Sequence, residues 1–206
     1  MSLTQIDHPL IRERLTRLRD ASSDTATFRE AIHDIARLMC FEVTRDLETT
    51  EHSVESPLTT TTGYKLARPV VLVPILRAGM GMLAGFTDIL TEASVGHIGM
   101  ARDEETLEPK SYYFKMPPGL WQADVILIDP MLATGNSSAD AADQLKADGA
   151  KNIRFVCLIA APEGIEAFQK RHPDIPIYTA SVDEKLNDKS YIHPGLGDAG
   201  DRYFGT

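Results

Sequence analysis

Three short runs of consecutive apolar, mostly β-branched residues constrain this chain most: Val70-Val71-Leu72-Val73, Val125-Ile126-Leu127-Ile128 and Ile153-Arg154-Phe155-Val156-Cys157-Leu158-Ile159. A strand with one wet face alternates apolar and polar residues, whereas an unbroken run fits a strand buried on both faces. Between the runs lie Gly- and Ala-rich helical stretches near 79–90 and 135–147, and residues 163–171 read as a further helix. Strand alternating with helix predicts an α/β fold with a central, mostly parallel sheet flanked by helices. Ile175-Pro176-Ile177-Tyr178 reads as a short edge strand.

Upstream, Leu10, Ile11, Leu15 and Leu18 recur at helical spacing after Pro9, so a first helix starts there. A second helix covers about 25–47, with Phe28, Ala31, Ile32, Ile35, Leu38 and Met39 on one stripe and Thr27 and Glu30 at capping-box spacing. Residues 50–64 are polar and Thr-rich and read as a loop. A chain of 206 residues suits one domain with its own core. Its parts are N-terminal helices over 1–50, an α/β core over 69–180 and a C-terminal loop region over 181–206.

The formal net charge of −9 is poorly suited to non-specific nucleic-acid binding, which relies on Lys and Arg facing phosphates. An anionic ligand must instead be captured by a local site that opposes the overall field. Cys40 and Cys157 sit in apolar runs and read as buried free thiols. No signal pattern opens the sequence, and no apolar stretch approaches membrane-spanning length. The expectation is a cytoplasmic enzyme with no membrane or nucleic-acid partner. His8, His33, His52, His97 and His172 show no metal-ligand spacing.

In parallel α/β sheets ligands bind beyond the carboxyl ends of the strands. After the second apolar run comes Asp129-Pro130-Met131-Leu132-Ala133-Thr134-Gly135-Asn136-Ser137, followed by a helix with Gly149 as its expected C′ residue. The backbone amides at such a helix entrance have no intrahelical partner and are suited to a phosphate. Thr134 and Ser137 add hydroxyl donors, and Asp129 can accept hydrogen bonds from vicinal sugar hydroxyls. Taken alone, Thr-Gly-x-Ser fits an ordinary helix cap as well. The nine-residue string, however, resembles the phosphoribosyl diphosphate loop of type I phosphoribosyltransferases. Most of that family opens this loop with two acidic residues; here Pro130 replaces the second, a form similar to the uracil phosphoribosyltransferase branch.

Two further strings carry the same resemblance. Pro74-Ile75-Leu76-Arg77-Ala78-Gly79 and Arg102-Asp103-Glu104-Glu105-Thr106-Leu107-Glu108-Pro109 are similar to family segments whose arginines hold the diphosphate. The resemblance therefore assigns Arg77 and Arg102 to the donor, although each alone also fits a surface ion pair. Ala101 stands where the family commonly has an aromatic residue. The segment from Arg102 to about Lys115 is expected to fold over the reacting centre as a lid. A dinucleotide-binding reading of Gly79, Gly81 and Gly85 fits poorly, because Pro74 to Ala78 separate them from the strand.

Near the C-terminus, Tyr191-Ile192-His193-Pro194-Gly195-Leu196-Gly197-Asp198-Ala199-Gly200-Asp201 suits a rigid loop whose backbone faces a ligand. Uracil offers carbonyl, N–H and carbonyl along one edge, and backbone groups supply the complementary order. A Gly-rich surface turn is the plain alternative for so short a glycine pattern. The string is nearly identical to the end of the uracil enzymes. The resemblance implies that Ile192, Gly197 and Ala199 contact uracil and that Asp198 contacts both uracil and phosphoribosyl diphosphate. His193 stands where those enzymes carry an aliphatic residue.

The resemblance thus implies a type I phosphoribosyltransferase fold with a small C-terminal hood. It further implies transfer of phosphoribose from phosphoribosyl diphosphate to uracil N1, with Mg²⁺ carried on the diphosphate. Residues Asp129 to Ser137 hold the donor, including Pro130, Met131, Leu132, Ala133 and Asn136. No residue stands out as a general base, Asp198 being the nearest candidate. A homo-oligomer, dimeric or higher, and activation by GTP in some members are also implied. Two alternatives stay open here: an RNA-binding pyrimidine-operon regulator on the same fold, and a phosphoribosyltransferase acting on a purine or orotate.

Overall fold

The computed structural model describes residues 3–102 and 109–206, with side chains over 3–100 and 111–206. The chain opens with strand β1 (Leu3–Gln5) and helices α1 (Pro9–Arg19) and α2 (Thr25–Val43), followed by strands β2 (Thr49–Glu55) and β3 (Thr60–Leu66). The centre comprises β4 (Val70–Leu76), α3 (Met80–Thr87), β5 (Ser94–Val95), β6 (His97–Arg102), β7 (Pro109–Lys115), β8 (Asp124–Ile128), β9 (Met131–Leu132) and α4 (Asn136–Ala147). It ends with β10 (Asn152–Ala160), α5 (Pro162–Arg171), β11 (Ile177–Val182), β12 (Lys185–Leu186), β13 (Ile192–His193) and α6 (Ala199–Phe204).

The main sheet runs β1-β11-β10-β8-β4-β6-β7, with β5 added to β4 and β9 to β10. Every pairing is parallel except β6 with β7. The apolar runs are the three central strands, and successive residues point to opposite faces, as the pleat requires. Leu72, Ile126, Ile128, Val156 and Leu158 pack with α1, α2 and α3 on one face. Val71, Val73, Val125, Leu127 and Phe155 pack with α4 and α5 on the other. Arg154 interrupts its run without cost to burial of the rest, because its guanidinium leaves the sheet. It donates to the Val43 carbonyl at 2.5 Å and to Asp46 at 2.6 Å.

Four sequence expectations need correction. The second helix ends at Val43, not near 47, where Arg154 takes the terminal carbonyl. Its N-cap is Asp24, whose carboxylate accepts from the Thr27 amide at 2.8 Å, so Thr27 lies inside the helix and is not the cap of a capping box. Residues 50–64 are not a loop: β2 and β3 form an antiparallel hairpin, in register from Thr49–Leu66 to Glu55–Thr60. Its strands are almost wholly exposed, so no apolar alternation marks them, although Thr and Val favour extended backbone. Finally, the strand near 175–178 runs Ile177–Val182 and is not at the edge, because β1 covers it in parallel register. A three-residue strand carries too little pattern to be read from sequence.

The expected stop after the central helix is present. Gly149 has φ +94°, its amide donates to the Lys146 carbonyl and the Ala150 amide donates to that of Leu145. These two bonds make a Schellman motif.

Candidate functional site

From β4 the chain passes through α3 toward β6 on one side of the sheet. From β8 it passes through α4 toward β10 on the other. The loops leaving these two adjacent strands therefore diverge at their carboxyl ends, the topological switch point where open α/β sheets bind ligands. A cleft of about 370 Å³ opens there. One wall is the turn from β8 into α4, and the opposite wall is the segment 189–200.

The first wall follows from local backbone chemistry. Gly135 caps α4 at φ +81°, and no side chain caps the first turn, so its amides are free to meet a ligand. A side chain at 135 would be strained at that φ, and its Cβ would lie 2.7 Å from the Gly164 carbonyl oxygen. Thr134 and Ser137 line the cleft beside these amides. Asp129 lies at the end of β8, where its carboxylate accepts from the Met131 amide at 3.3 Å. Burial of this carboxyl pushes its pKa up to about 7, with the Met131 amide pulling the other way.

The second wall is built on α6. Asp198 is the N-cap of that helix and accepts from the Asp201 amide at 2.9 Å. Gly195 and Gly197 take φ +65° and +78°, and the His193–Pro194 peptide is cis. Ile192 and Ala199 are buried beneath the loop, and Gly197 and Asp198 are exposed to the cleft. A glycine-framed backbone thus faces an amide-lined helix entrance across a space of small-molecule size.

Residues 5–206 match the family model described as uracil phosphoribosyltransferase. The chain belongs to the uracil phosphoribosyltransferase family. It is 54% identical over 202 residues to the uracil phosphoribosyltransferase of Ligilactobacillus salivarius, covering 98% of this chain and 97% of that one. Among solved structures it is similar to the AQ2163 protein from Aquifex aeolicus, at 34% identity and TM-score 0.94, covering 99% and 98% of the two chains. A purine phosphoribosyltransferase from Pyrococcus horikoshii shares the fold at 20% identity and TM-score 0.52, covering 74% and 83%. The architecture is the type I phosphoribosyltransferase fold.

Within this uracil phosphoribosyltransferase family frame, ten of the residues singled out from sequence line one cleft: Asp129, Met131, Ala133, Thr134, Gly135 and Ser137 on one wall, and Ile192, Gly197, Asp198 and Ala199 on the other. Pro130 and Leu132 are buried beneath the first wall, and Asn136 is exposed outside the lining. Arg77 stands just beyond it. Its guanidinium is 3.3 Å from Asp201 and 5.5 Å from the Phe204 ring centroid, so it leans on α6 beside the second wall. Neighbouring Ala78 does line the cleft. The loop from Arg77 folds tightly against β8, because a Cβ on Gly79 would lie 2.6 Å from the Ile128 carbonyl oxygen. Arg102 ends β6 opposite Pro109, and its side chain, with the lid segment 103–108, lies outside the described residues.

Tyr191 and Gly200, from the loop read in the sequence, also line the cleft, as do Ser138, Lys189 and Ser190, which sequence reasoning had not singled out. Lys189 is the one cation among the described lining residues. The available signal was Asn187, whose side chain accepts from the Lys189 and Tyr191 amides at 2.9 and 3.0 Å and shapes the turn. Cys40 and Cys157 are free and buried, and burial pushes both thiols up to about 12, which makes them poor nucleophiles.

Proposed function

We propose that this chain transfers the phosphoribosyl group of phosphoribosyl diphosphate to N1 of uracil, giving UMP and pyrophosphate, and that the cleft between the two walls is where it does so. The observation that carries this reading is the meeting of an uncapped helix entrance with a glycine-framed backbone loop in one space. In this assignment the amides and hydroxyls of 133–137 hold the 5′-phosphate, over a turn shaped by Pro130, Met131 and Leu132. Asp129 takes the ribose hydroxyls, and Arg77 and Arg102 take the diphosphate. Ile192, Gly197 and Ala199 frame uracil, and Asp198 lies between base and donor.

The bond from ribose carbon 1 to diphosphate oxygen breaks, and pyrophosphate leaves with the electron pair. Uracil N1 forms the new bond from the opposite face, with inversion, and gives up its proton; Asp198, which lines the cleft, is the candidate to receive it. Positioning and charge stabilisation supply the acceleration. Among the described residues no group of three or more His, Cys, Asp or Glu side chains is arranged to hold a metal. Asp129 and Asp198 do offer single carboxylates at the cleft, which fits Mg²⁺ carried in on the substrate's phosphates. Bound there, Mg²⁺ would supply positive charge against the leaving pyrophosphate.

An RNA-binding regulator on the same fold is not favoured, since the family match runs through the base-reading loop to the last residue and the chain carries net charge −9. Assembly into a dimer or higher homo-oligomer and activation by GTP belong to the same proposal. The projecting hairpin supports the first, exposing Leu58, Tyr64 and Leu66. Sedimentation and GTP titration test the two. The central assay offers uracil, cytosine, orotate, hypoxanthine and guanine separately with phosphoribosyl diphosphate and Mg²⁺. Pyrophosphate release is expected with uracil alone; release with a purine or orotate and not uracil overturns the reading.

The raised Asp129 pKa gives a pH signature. A carboxyl that stays neutral to about pH 7 accepts hydroxyl hydrogen bonds best once ionised. Catalytic efficiency for phosphoribosyl diphosphate is therefore expected to climb as pH rises through about 7, and Asp129→Asn to remove that inflection. If the Asn variant keeps it, the titrating group is elsewhere, for instance the substrate's own 5′-phosphate.

A further inference from the structure

The base-reading loop has no regular secondary structure between β13 and α6, yet its backbone must hold donors and acceptors to a fixed pattern. What fixes it is visible at Gly195. Its amide donates to Asp183 Oδ2 at 2.9 Å, and its carbonyl accepts from Arg19 Nη1 at 2.8 Å. Arg19 and Asp183 are themselves joined as a two-point pair, at 2.7 Å from Nη1 to Oδ2 and 2.6 Å from Nη2 to Oδ1. Both polar groups of one peptide residue are thus held by the two halves of a single ion pair.

The pair is itself anchored. The Asp183 side chain is 2% exposed, its amide donates to the Ala160 carbonyl at the end of β10, and the Ser181 hydroxyl donates to Oδ1 at 2.9 Å. Burial alone would raise the Asp183 pKa; the Arg19 and Ser181 hydrogen bonds, the Arg19 charge and the Gly195 amide outweigh it and hold the carboxyl below its ordinary range. Arg19 is the last residue of α1. The next loop residue is fixed from the same place. Arg202 donates to the Leu196 carbonyl at 2.8 Å and to the Asp20 carbonyl at 2.7 Å, with its guanidinium 4.4 Å from the Phe28 ring centroid. The end of α1 is therefore the foundation on which Gly195 and Leu196 are set. Gly197, Asp198 and Ala199 follow directly and face the cleft.

We infer that Arg19 and Asp183 are positioning residues for base recognition: their ion pair clamps both backbone groups of Gly195 and so sets the frame in which residues 197–199 read the pyrimidine edge. The inference rests on the reading of that loop as the uracil site. Neither residue lines the cleft. Their effect falls first on the acceptor, because the clamp joins the end of α1 to the residue after β11, whereas the 133–137 turn leads from β9 into α4.

The test is steady-state kinetics on Arg19→Lys, Asp183→Asn and Arg19→Ala, with thermal melting to confirm that each is folded. Arg19→Lys keeps the charge but loses the fork that reaches Asp183 and Gly195 together. In all three the KM for uracil is expected to rise about 10- to 100-fold, the scale of a misplaced reading group, with a smaller rise in the KM for phosphoribosyl diphosphate through Asp198. Guanidinium ion at millimolar concentration is expected to restore the uracil KM of Arg19→Ala, whose cavity opens on a side chain 27% exposed, and to leave the parent enzyme unaffected. A pair that serves only stability would lower the melting temperature and leave both KM values at the parent level, which overturns the inference. Gly197→Ala, strained at φ +78°, shifts the reading backbone itself and separates the two layers. If it raises the uracil KM and the pair variants do not, the clamp fails and the loop assignment stands. If it leaves the uracil KM unchanged, the loop is not the base site and both fall.

Discussion

Gly135→Ala is expected to lower catalytic efficiency for phosphoribosyl diphosphate by about 10²–10³-fold, the scale of losing a preorganised donor set. Two independent costs meet at this residue. Its φ of +81° is strained for any residue with a Cβ, by about 1–2 kcal/mol. The added methyl would also press on the Gly164 carbonyl oxygen at 2.7 Å, and that atom is main chain at the start of α5, which cannot swing aside. The turn must therefore shift, and the amides of the first turn of α4 move with it. A displacement near 1 Å is enough for a loss of about 10²-fold when geometry sets the rate. Kinetics with saturating uracil, together with a melting curve, check this. The variant is expected to remain folded and to lose donor affinity and turnover. Parent-level efficiency would remove the 133–137 turn from phosphate binding.

The second large effect is expected from Arg77→Ala, a fall in catalytic efficiency of about 10²–10³-fold. The structure sharpens this expectation by separating function from stability. The Arg77 side chain is 59% exposed, and its partner Asp201 is 53% exposed. Exposed ion pairs of this kind contribute about 0–1 kcal/mol, so the melting temperature should hardly move. A residue with so little structural work, placed at the end of β4 beside the cleft, shows its role in kinetics or not at all. The KM for phosphoribosyl diphosphate is expected to rise and kcat to fall. Arg77→Lys should recover only part of the loss, since a point charge cannot match a planar fork on diphosphate oxygens. An unchanged Arg77→Ala enzyme would take this residue out of the mechanism.

The three central strands were legible because burial on both faces writes itself as unbroken apolar sequence, and the helices between them because their small and apolar residues keep helical spacing. The Gly149 stop was legible because its chemistry is local. The β2–β3 hairpin was not, because its residues are mostly exposed and polar; Thr-rich sequence fits loop and exposed strand equally. β1 is too short to carry a pattern, and its pairing with β11 is a long-range event that no local signal encodes. At the site, Asp129 and the 133–137 turn were readable from a strand-turn-helix motif. Lys189 and Ser190 were not, because a turn built by Asn187 brings them to the cleft. The Arg19–Asp183 clamp joins residues 164 positions apart and has no local sequence signature at all.

The proposed function stands on one spatial claim: the entrance of α4 grips a sugar phosphate while the loop before α6 reads a pyrimidine. A crystal structure with bound UMP tests it most directly. The expected density places the phosphate on the amides and hydroxyls of 134–137, the ribose hydroxyls on Asp129, and the uracil edge along Ile192 and Gly197 to Ala199. UMP density elsewhere, with both walls empty, would contradict the account.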